Sequence, residues 1–157
     1  MAPPAAEPVC DPPEDLDVLF IGNSYTNMHD LPALVEDLGS QAGIEIHAEK
    51  LATGGKNFEY HLGRERTQQV LESHDWDVVV LQSHSLDPLR NPDGFLEAGT
   101  KLVELVRESG ASPVLFQTWP RKSGHNLYNY FEPTGGSPEA MLAAVSDSYR
   151  ELADATG

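Results

Sequence analysis

The chain is 157 residues long and carries 25 Asp and Glu against 10 Lys and Arg, a formal net charge of −15. One domain fits that length, and the acidic excess excludes most nucleic-acid binding and argues against docking on an anionic membrane face, since both need a basic surface. Apolar residues make up 39% and fall in runs, which supplies a core, yet no run approaches the ~20 residues needed to span a bilayer.

Residues 1–14, MAPPAAEPVCDPPE, hold five prolines, so neither helix nor strand is expected and the segment reads as an extended tail. It has no basic start and no apolar stretch, so it does not read as a signal peptide. The single cysteine, Cys10, lies there and reads as an exposed thiol; one cysteine makes no internal disulfide and no Cys-based metal cluster.

From Asp15 onward short apolar runs alternate with amphipathic stretches. Val18-Leu19-Phe20-Ile21 is a continuous apolar run, as expected of a parallel strand covered on both faces. Residues 31–42 place Leu31, Leu34, Val35 and Leu38 at helical spacing, and residues 44–51 read as the second strand. A polar helix is expected over 62–73, a third strand over 78–81, and an amphipathic helix over 94–109. The fourth strand falls at 114–116, and a last helix over 138–155 has Pro138 in its favoured first turn. Strand and helix alternating four times predict an open parallel sheet with helices on both faces, whose chemistry sits at the carboxyl ends of the strands.

Those ends are all polar. Gly22-Asn23-Ser24-Tyr25-Thr26 follows the first strand, Ala52-Thr53-Gly54-Gly55-Lys56-Asn57 the second, Gln82-Ser83-His84-Ser85 the third, and Gln117-Thr118-Trp119-Pro120-Arg121-Lys122 the fourth. A serine on a tight turn that opens a helix exposes its hydroxyl beside backbone N–H groups, the geometry of a nucleophile; the same residue can equally serve only as a helix cap. Trp119 offers an apolar or sugar-stacking wall and Arg121 a partner for an acidic group, although packing and solvation account for both as well. Thr53-Gly54-Gly55-Lys56 lacks the spacing of a phosphate-binding loop, and no metal-site spacing occurs.

VLFIGNSYT resembles the first block of the SGNH (GDSL-type) hydrolases, in the variant with Asn where Asp is common. Gly54-Gly55 resembles the second block, VVVLQSHS falls at the third, and TWPRK resembles a branch with GNS in place of GDS; the likeness runs from residue 16 to about 155. It implies a flavodoxin-like, three-layer α/β/α domain over residues 15–157 with a parallel sheet of about four strands. It further implies that Ser24 is the nucleophile of a serine esterase. The oxyanion hole would be formed by the N–H of Ser24, the N–H of Gly55 (with Gly54 as the alternative) and a side chain of the third block. That place falls on His84, with Gln82 two residues earlier as the other donor. Each such donor is worth about 3 to 4 kcal/mol, and glycine at the second block avoids a Cβ in the substrate's path. Asn23, Gln82 and Trp119 complete the set as substrate-binding candidates.

The family's base is the histidine of an Asp-x-x-His block, and none of the six histidines has an aspartate three residues before it. The expectation is a C-terminally incomplete domain lacking its last strand and that block, hence inactive or weakly active. A second chain completing the site, or His29 or His125 taking over, are the alternatives. The expected function is hydrolysis of a carboxylic ester, such as an acetylated carbohydrate or short acyl ester, without cofactor or metal. A non-catalytic carbohydrate- or ester-binding module is the second reading and a nucleotide or flavin binder the third. The only macromolecular partner expected is a second copy, through an exposed sheet edge.

Overall fold

The computed structural model describes residues 15–157, so the proline-rich leader and Cys10 lie outside the described residues. Val18, Leu19, Phe20 and Ile21 are all at most 5% exposed, as an apolar run with no polar face demands of a strand covered on both sides. They form the centre of β1 (Asp15–Gly22), which is followed by a one-turn helix α1 (Ser24–Asn27), α2 (Leu31–Gln41) and β2 (Glu45–Ala52). Next come α3 (Phe58–Leu62), α4 (Glu65–Glu72), β3 (Val78–Leu81), α5 (Asp87–Arg90), α6 (Pro92–Glu108) and β4 (Ser112–Leu115). The chain continues through α7 (Leu127–Tyr130), a 3₁₀ turn at Glu132–Thr134 and α8 (Pro138–Thr156).

The four strands form one parallel sheet in the order β2-β1-β3-β4, the order of a flavodoxin-like domain. Register follows the apolar pattern: Leu19 and Ile21 pair with Val79 and Leu81, and these four side chains enter one core with Phe58, Val70, Leu71, Phe95, Leu102, Met141, Val145 and Leu152. That places α3, α4, α6 and α8 on one face of the sheet. On the other, α2 packs on β2 so closely that a Cβ on Gly39 would meet Ile46 Cδ1 at 2.6 Å. Both strands at the sheet margins have one unpaired side among the described residues, and Val114 on β4 is 45% exposed.

The helix expected over 62–73 is α4, which starts three residues later, and a separate short helix, α3, precedes it. The Asn57 carboxamide oxygen accepts the Tyr60 N–H at 3.1 Å and starts α3 early, with Phe58 wholly buried as its anchor. Gly63 then ends it, and α4 starts afresh from Arg64. The one-turn helices α1, α5 and α7 are too short to show any periodicity.

His61 on α3 is 1% exposed and its Nε2–H donates to the Gly22 carbonyl at 2.8 Å. A carbonyl only accepts, so the proton resides on Nε2. Burial pushes the His61 pKa below the usual value, helped by the nearby Arg64 charge and opposed by the Gly22 carbonyl. The unfolded chain therefore takes up a proton that the folded chain resists. This contribution to stability is complete above about pH 6.5, the unfolded value, and is lost as the pH falls toward the lower folded one. The thermal midpoint is expected to drop between pH 7.5 and 5.5, and His61→Gln, which keeps a donor for Gly22, to flatten part of that drop. Superimposable pH profiles for the two proteins would contradict this assignment.

Candidate active site

β1 and β3 are neighbours, but the chain leaves β1 along one face of the sheet through α2 and reaches β3 along the other through α3 and α4. The carboxyl ends of these two strands therefore part, which opens a crevice between their following loops. Asn23-Ser24 lies on one side of it and Gln82-Ser83-His84 on the other.

Gln82 ties the two sides together. It is fully buried; its Oε1 accepts the Asn23 N–H at 3.2 Å and the Thr26 hydroxyl at 3.0 Å. Its Nε2 donates to Asn23 Oδ1 at 3.0 Å and to the Ser83 carbonyl. Asn23, 2% exposed, accepts the Tyr25 N–H on the same Oδ1 at 3.1 Å and caps α1, while its Nδ2 donates to the Lys56 carbonyl at 2.8 Å. Gly22 is glycine because the knot is tight: a Cβ there would lie 2.8 Å from Gln82 Oε1 and closer still to Thr26 Oγ1. Ser24 is the first residue of α1, is half-exposed, and its N–H has no hydrogen-bond partner among the described residues.

The loop after β2 is fastened to the same turn. The Thr53 N–H donates to the Gly22 carbonyl at 3.1 Å, and the Lys56 N–H donates back to Thr53 at 3.2 Å, closing a β-turn. Gly55 sits in it at φ +69°, and a Cβ there would meet nothing within 4 Å. Handedness of the backbone therefore explains this glycine, and crowding within the protein does not enter. Gly54 and Gly55 are both exposed, and neither N–H is engaged among the described residues.

A second buried network lies beneath. Asn57 Nδ2 donates to Asp87 Oδ1 at 3.0 Å, the Ser83 hydroxyl donates to Asp87 Oδ2 at 2.8 Å, and Ser83 Oγ accepts the Phe58 N–H at 3.2 Å. The Ser83 N–H reaches the Tyr149 hydroxyl at 3.4 Å, and burial raises the pKa of that phenol. Asn57, Ser83, Asp87 and Tyr149 were not among the candidates. The signal for Asn57 was its place three residues before Tyr60, where it caps α3; nothing in the sequence pairs it with Asp87.

His84 is half-buried and its Nδ1 accepts the Leu86 N–H at 3.2 Å. The ring proton of the neutral form is thus on Nε2, which has no partner among the described residues. Burial, then the Arg90 charge, lowers its pKa, Asp87 opposes, and Arg121 lowers it further. Trp119 is 50% exposed and stacks on Tyr25, with ring centroids 4.6 Å apart and planes 11° from parallel. The six candidate residues therefore gather on the carboxyl rim of one sheet, four with a group facing solvent (Ser24, Gly55, His84 and Trp119) and two with their polar atoms used inside (Asn23 and Gln82). Of the two loop histidines, His29 is exposed at φ +63° and His125 accepts the Leu127 N–H at 3.1 Å; neither bonds to Ser24. An open groove of about 630 Å³ between α2 and β2, lined by Glu36, Asp37, Glu45 and His47, lies at the amino end of β2, away from this rim.

No family model and no curated protein matches the chain. Solved structures do. A candidate SGNH hydrolase from Slackia heliotrinireducens is 27% identical and superposes with a TM-score of 0.74 over 91% of this chain and 76% of its own. A DUF4886 family protein from Bacteroides uniformis is 19% identical, TM-score 0.70, over 91% of this chain and 64% of its own. An acetyl xylan esterase is 17% identical, TM-score 0.68, over 90% and 74%. At those last two identities the likeness is one of fold.

Gln82→Leu removes an acceptor from two donors and a donor from Asn23 and from the Ser83 carbonyl, all buried. Each orphaned group costs about 1 to 3 kcal/mol, less whatever water or rearrangement recovers. Urea denaturation is expected to show a loss of ~3 kcal/mol, and Gln82→Glu at neutral pH a loss at least as large, because it sets a buried carboxylate oxygen against Asn23 Oδ1 and the Ser83 carbonyl. A Gln82→Leu protein as stable as the parent would mean that the turn is held by something else.

Proposed function

We propose that the chain is a serine esterase of the SGNH hydrolase superfamily that hydrolyses carboxylic esters by acyl transfer to Ser24, in keeping with its 27% identity to a candidate SGNH hydrolase of the same fold. The observation that supports this reading best is that three donors just beyond the carboxyl ends of β1, β2 and β3 are unengaged among the described residues: the N–H of Ser24, that of Gly55, and Nε2–H of His84. Ser24 Oγ forms a bond to the ester carbon, the carbonyl oxygen gains negative charge, and these three donors stabilise it. The lowered pKa of His84 keeps its ring neutral near pH 7, with the proton on Nε2 because Nδ1 accepts the Leu86 N–H. Collapse of the tetrahedral species breaks the alkoxy C–O bond, and water then releases the acid from Ser24.

Asn23 and Gln82 serve this reading as positioning residues. Their polar atoms are spent on the turn, so they act by setting where Ser24 and its N–H stand. Trp119, stacked on Tyr25, provides a flat wall for the acyl group or for a sugar ring, in keeping with a short acyl ester or acetylated carbohydrate.

The Ser24 proton needs an acceptor. His61 is bonded to Gly22, His84 to Leu86 and His125 to Leu127, and no histidine bonds to Ser24 among the described residues. The chain of 157 residues is accordingly expected to turn esters over slowly, at the ~10³ to 10⁴ over water that an oxyanion hole and binding supply without a base. Imidazole in solution supplies the missing base. Hydrolysis of p-nitrophenyl acetate, corrected with a Ser24→Ala control for imidazole's own catalysis, is expected to rise with the concentration of free-base imidazole. A fluorophosphonate probe is expected to label the parent and not Ser24→Ala. Absence of both effects, with saturable binding of a sugar ester, would favour the second reading, a module that binds without turnover.

Self-association belongs to the same proposal. β4 has an unpaired edge among the described residues, and Val114 is largely exposed on it, a template for a second copy. Sedimentation is expected to show concentration-dependent association that Val114→Lys weakens; a monodisperse parent monomer at high concentration would remove this part.

A further inference from the structure

Arg121 is fastened where the candidate site opens. Its guanidinium donates to the Tyr25 hydroxyl and, at 3.1 Å, to Ser85 Oγ. Tyr25 follows Ser24, and Ser85 follows His84, so one cation bridges the neighbours of both groups. The Arg121 carbonyl in turn accepts the Tyr128 hydroxyl, which anchors the backbone of the loop.

Both side-chain partners are neutral. In a chain with 25 acidic residues, Arg121 has no carboxylate within ion-pair distance among the described residues. Away from this rim the pattern differs: Lys101 and Arg150 pair with Glu97 and Asp147 on helices α6 and α8. Near the carboxyl end of β2 Lys50 pairs with Asp30 at 2.7 Å, but four other cations rest on aromatic faces. Lys56 and Arg64 lie 4.9 and 5.0 Å from the Tyr60 ring, Arg90 5.5 Å from Phe131, and Arg121 5.9 Å from Tyr25. None of these four makes an ion pair among the described residues. A half-buried guanidinium that is held by two hydroxyls keeps three of its five N–H donors, and its charge, for a ligand. Asp87, the carboxyl whose charge acts on His84, is 8% exposed, and its two oxygens accept from Asn57 and Ser83 rather than from Arg121.

We propose that the site selects esters that also carry a carboxylate, with Arg121 as the residue that reads it and the stacked Tyr25–Trp119 pair as the wall beside it. A planar carboxylate fits the remaining fork of donors. This rests on the ester-hydrolase reading and narrows its substrate class.

The test compares 4-acetoxybenzoate with the neutral 4-acetoxybenzamide, which offer the same acetyl group and differ in charge. Rates are taken at low ionic strength with imidazole present and corrected with Ser24→Ala. The parent is expected to favour the anionic ester about tenfold in kcat/KM, mainly through KM. Arg121→Gln is expected to bring the ratio of the two substrates near one, and Arg121→Lys to an intermediate value, because the ammonium keeps the charge and loses the fork. Thermal midpoints accompany each variant, and should Arg121→Gln not fold, the Lys variant decides. A parent ratio near one, or a ratio unmoved in a folded Arg121 variant, overturns the proposal and leaves the esterase reading standing. If neither ester shows Ser24-dependent turnover, the esterase reading fails, and calorimetric titration with benzoate decides the anion site alone. Binding lost in the Arg121 variant supports it; no binding to the parent overturns it.

Discussion

One buried primary amide sets the geometry on which the rest of the rim depends. Gln82 closes β3, and its side chain reaches across the sheet to the turn that closes β1. A primary amide has two donors and an oxygen with two lone pairs, and every one of these finds a partner here. In an interior from which water is excluded, that satisfaction is close to obligatory, because each unpaired group would cost about as much as a hydrogen bond contributes or more. The turn bearing Ser24 is thus fixed by the register of two strands whose residues lie nearly sixty positions apart. The same turn holds the loop after β2 through Asn23 and Lys56 and through Gly22 and Thr53. Three strand ends are thus tied together by hydrogen bonds.

Charge is distributed against the average. The chain as a whole is strongly acidic, yet the loops beyond β2, β3 and β4 contribute Lys56, Arg90 and Arg121, each held on an aromatic face. Part of their effect is visible in His84, whose pKa is lowered first by burial and then by Arg90, is opposed by Asp87, and is lowered further by Arg121. In the proposed chemistry this keeps the imidazole neutral. The acidic remainder of the surface keeps the protein soluble and leaves the rim's field local, since exposed charges are screened within about 10 Å at moderate salt.

Much of the architecture was legible as apolar periodicity. The runs at 18–21 and 78–81 lie within β1 and β3, with the third strand's limits matched at both ends. Glycine and proline marked where the long helices stop and start. What periodicity does not show is anything shorter than two turns, so α1, α3, α5 and α7 leave no periodic signal in the sequence, and only α4 matches the helix expected over 62–73. The candidate residues at the rim were found because each follows a strand, a rule that needs topology and no contacts. The rule did not separate groups that face solvent from groups that hold the turn. Asn23 and Gln82 looked like Ser24 and His84 until burial and hydrogen bonding told them apart.

The order of apolar runs and polar turns alone settled the class of fold, the strands of the sheet and the edge on which side chains of chemical interest collect, because burial of alternating or continuous apolar segments is a local property of the chain. It also supplied the short GNS block that carries the family likeness. Which nitrogen of His84 bears the proton, why Gly55 is glycine, how Asn57, Ser83 and Asp87 close a network, and that Arg121 stands between Tyr25 and Ser85 with no carboxylate beside it were decided by tertiary structure. Hydrogen-bond pairing and the environment of a charge depend on atoms brought together from distant positions, and no spacing along the chain encodes them.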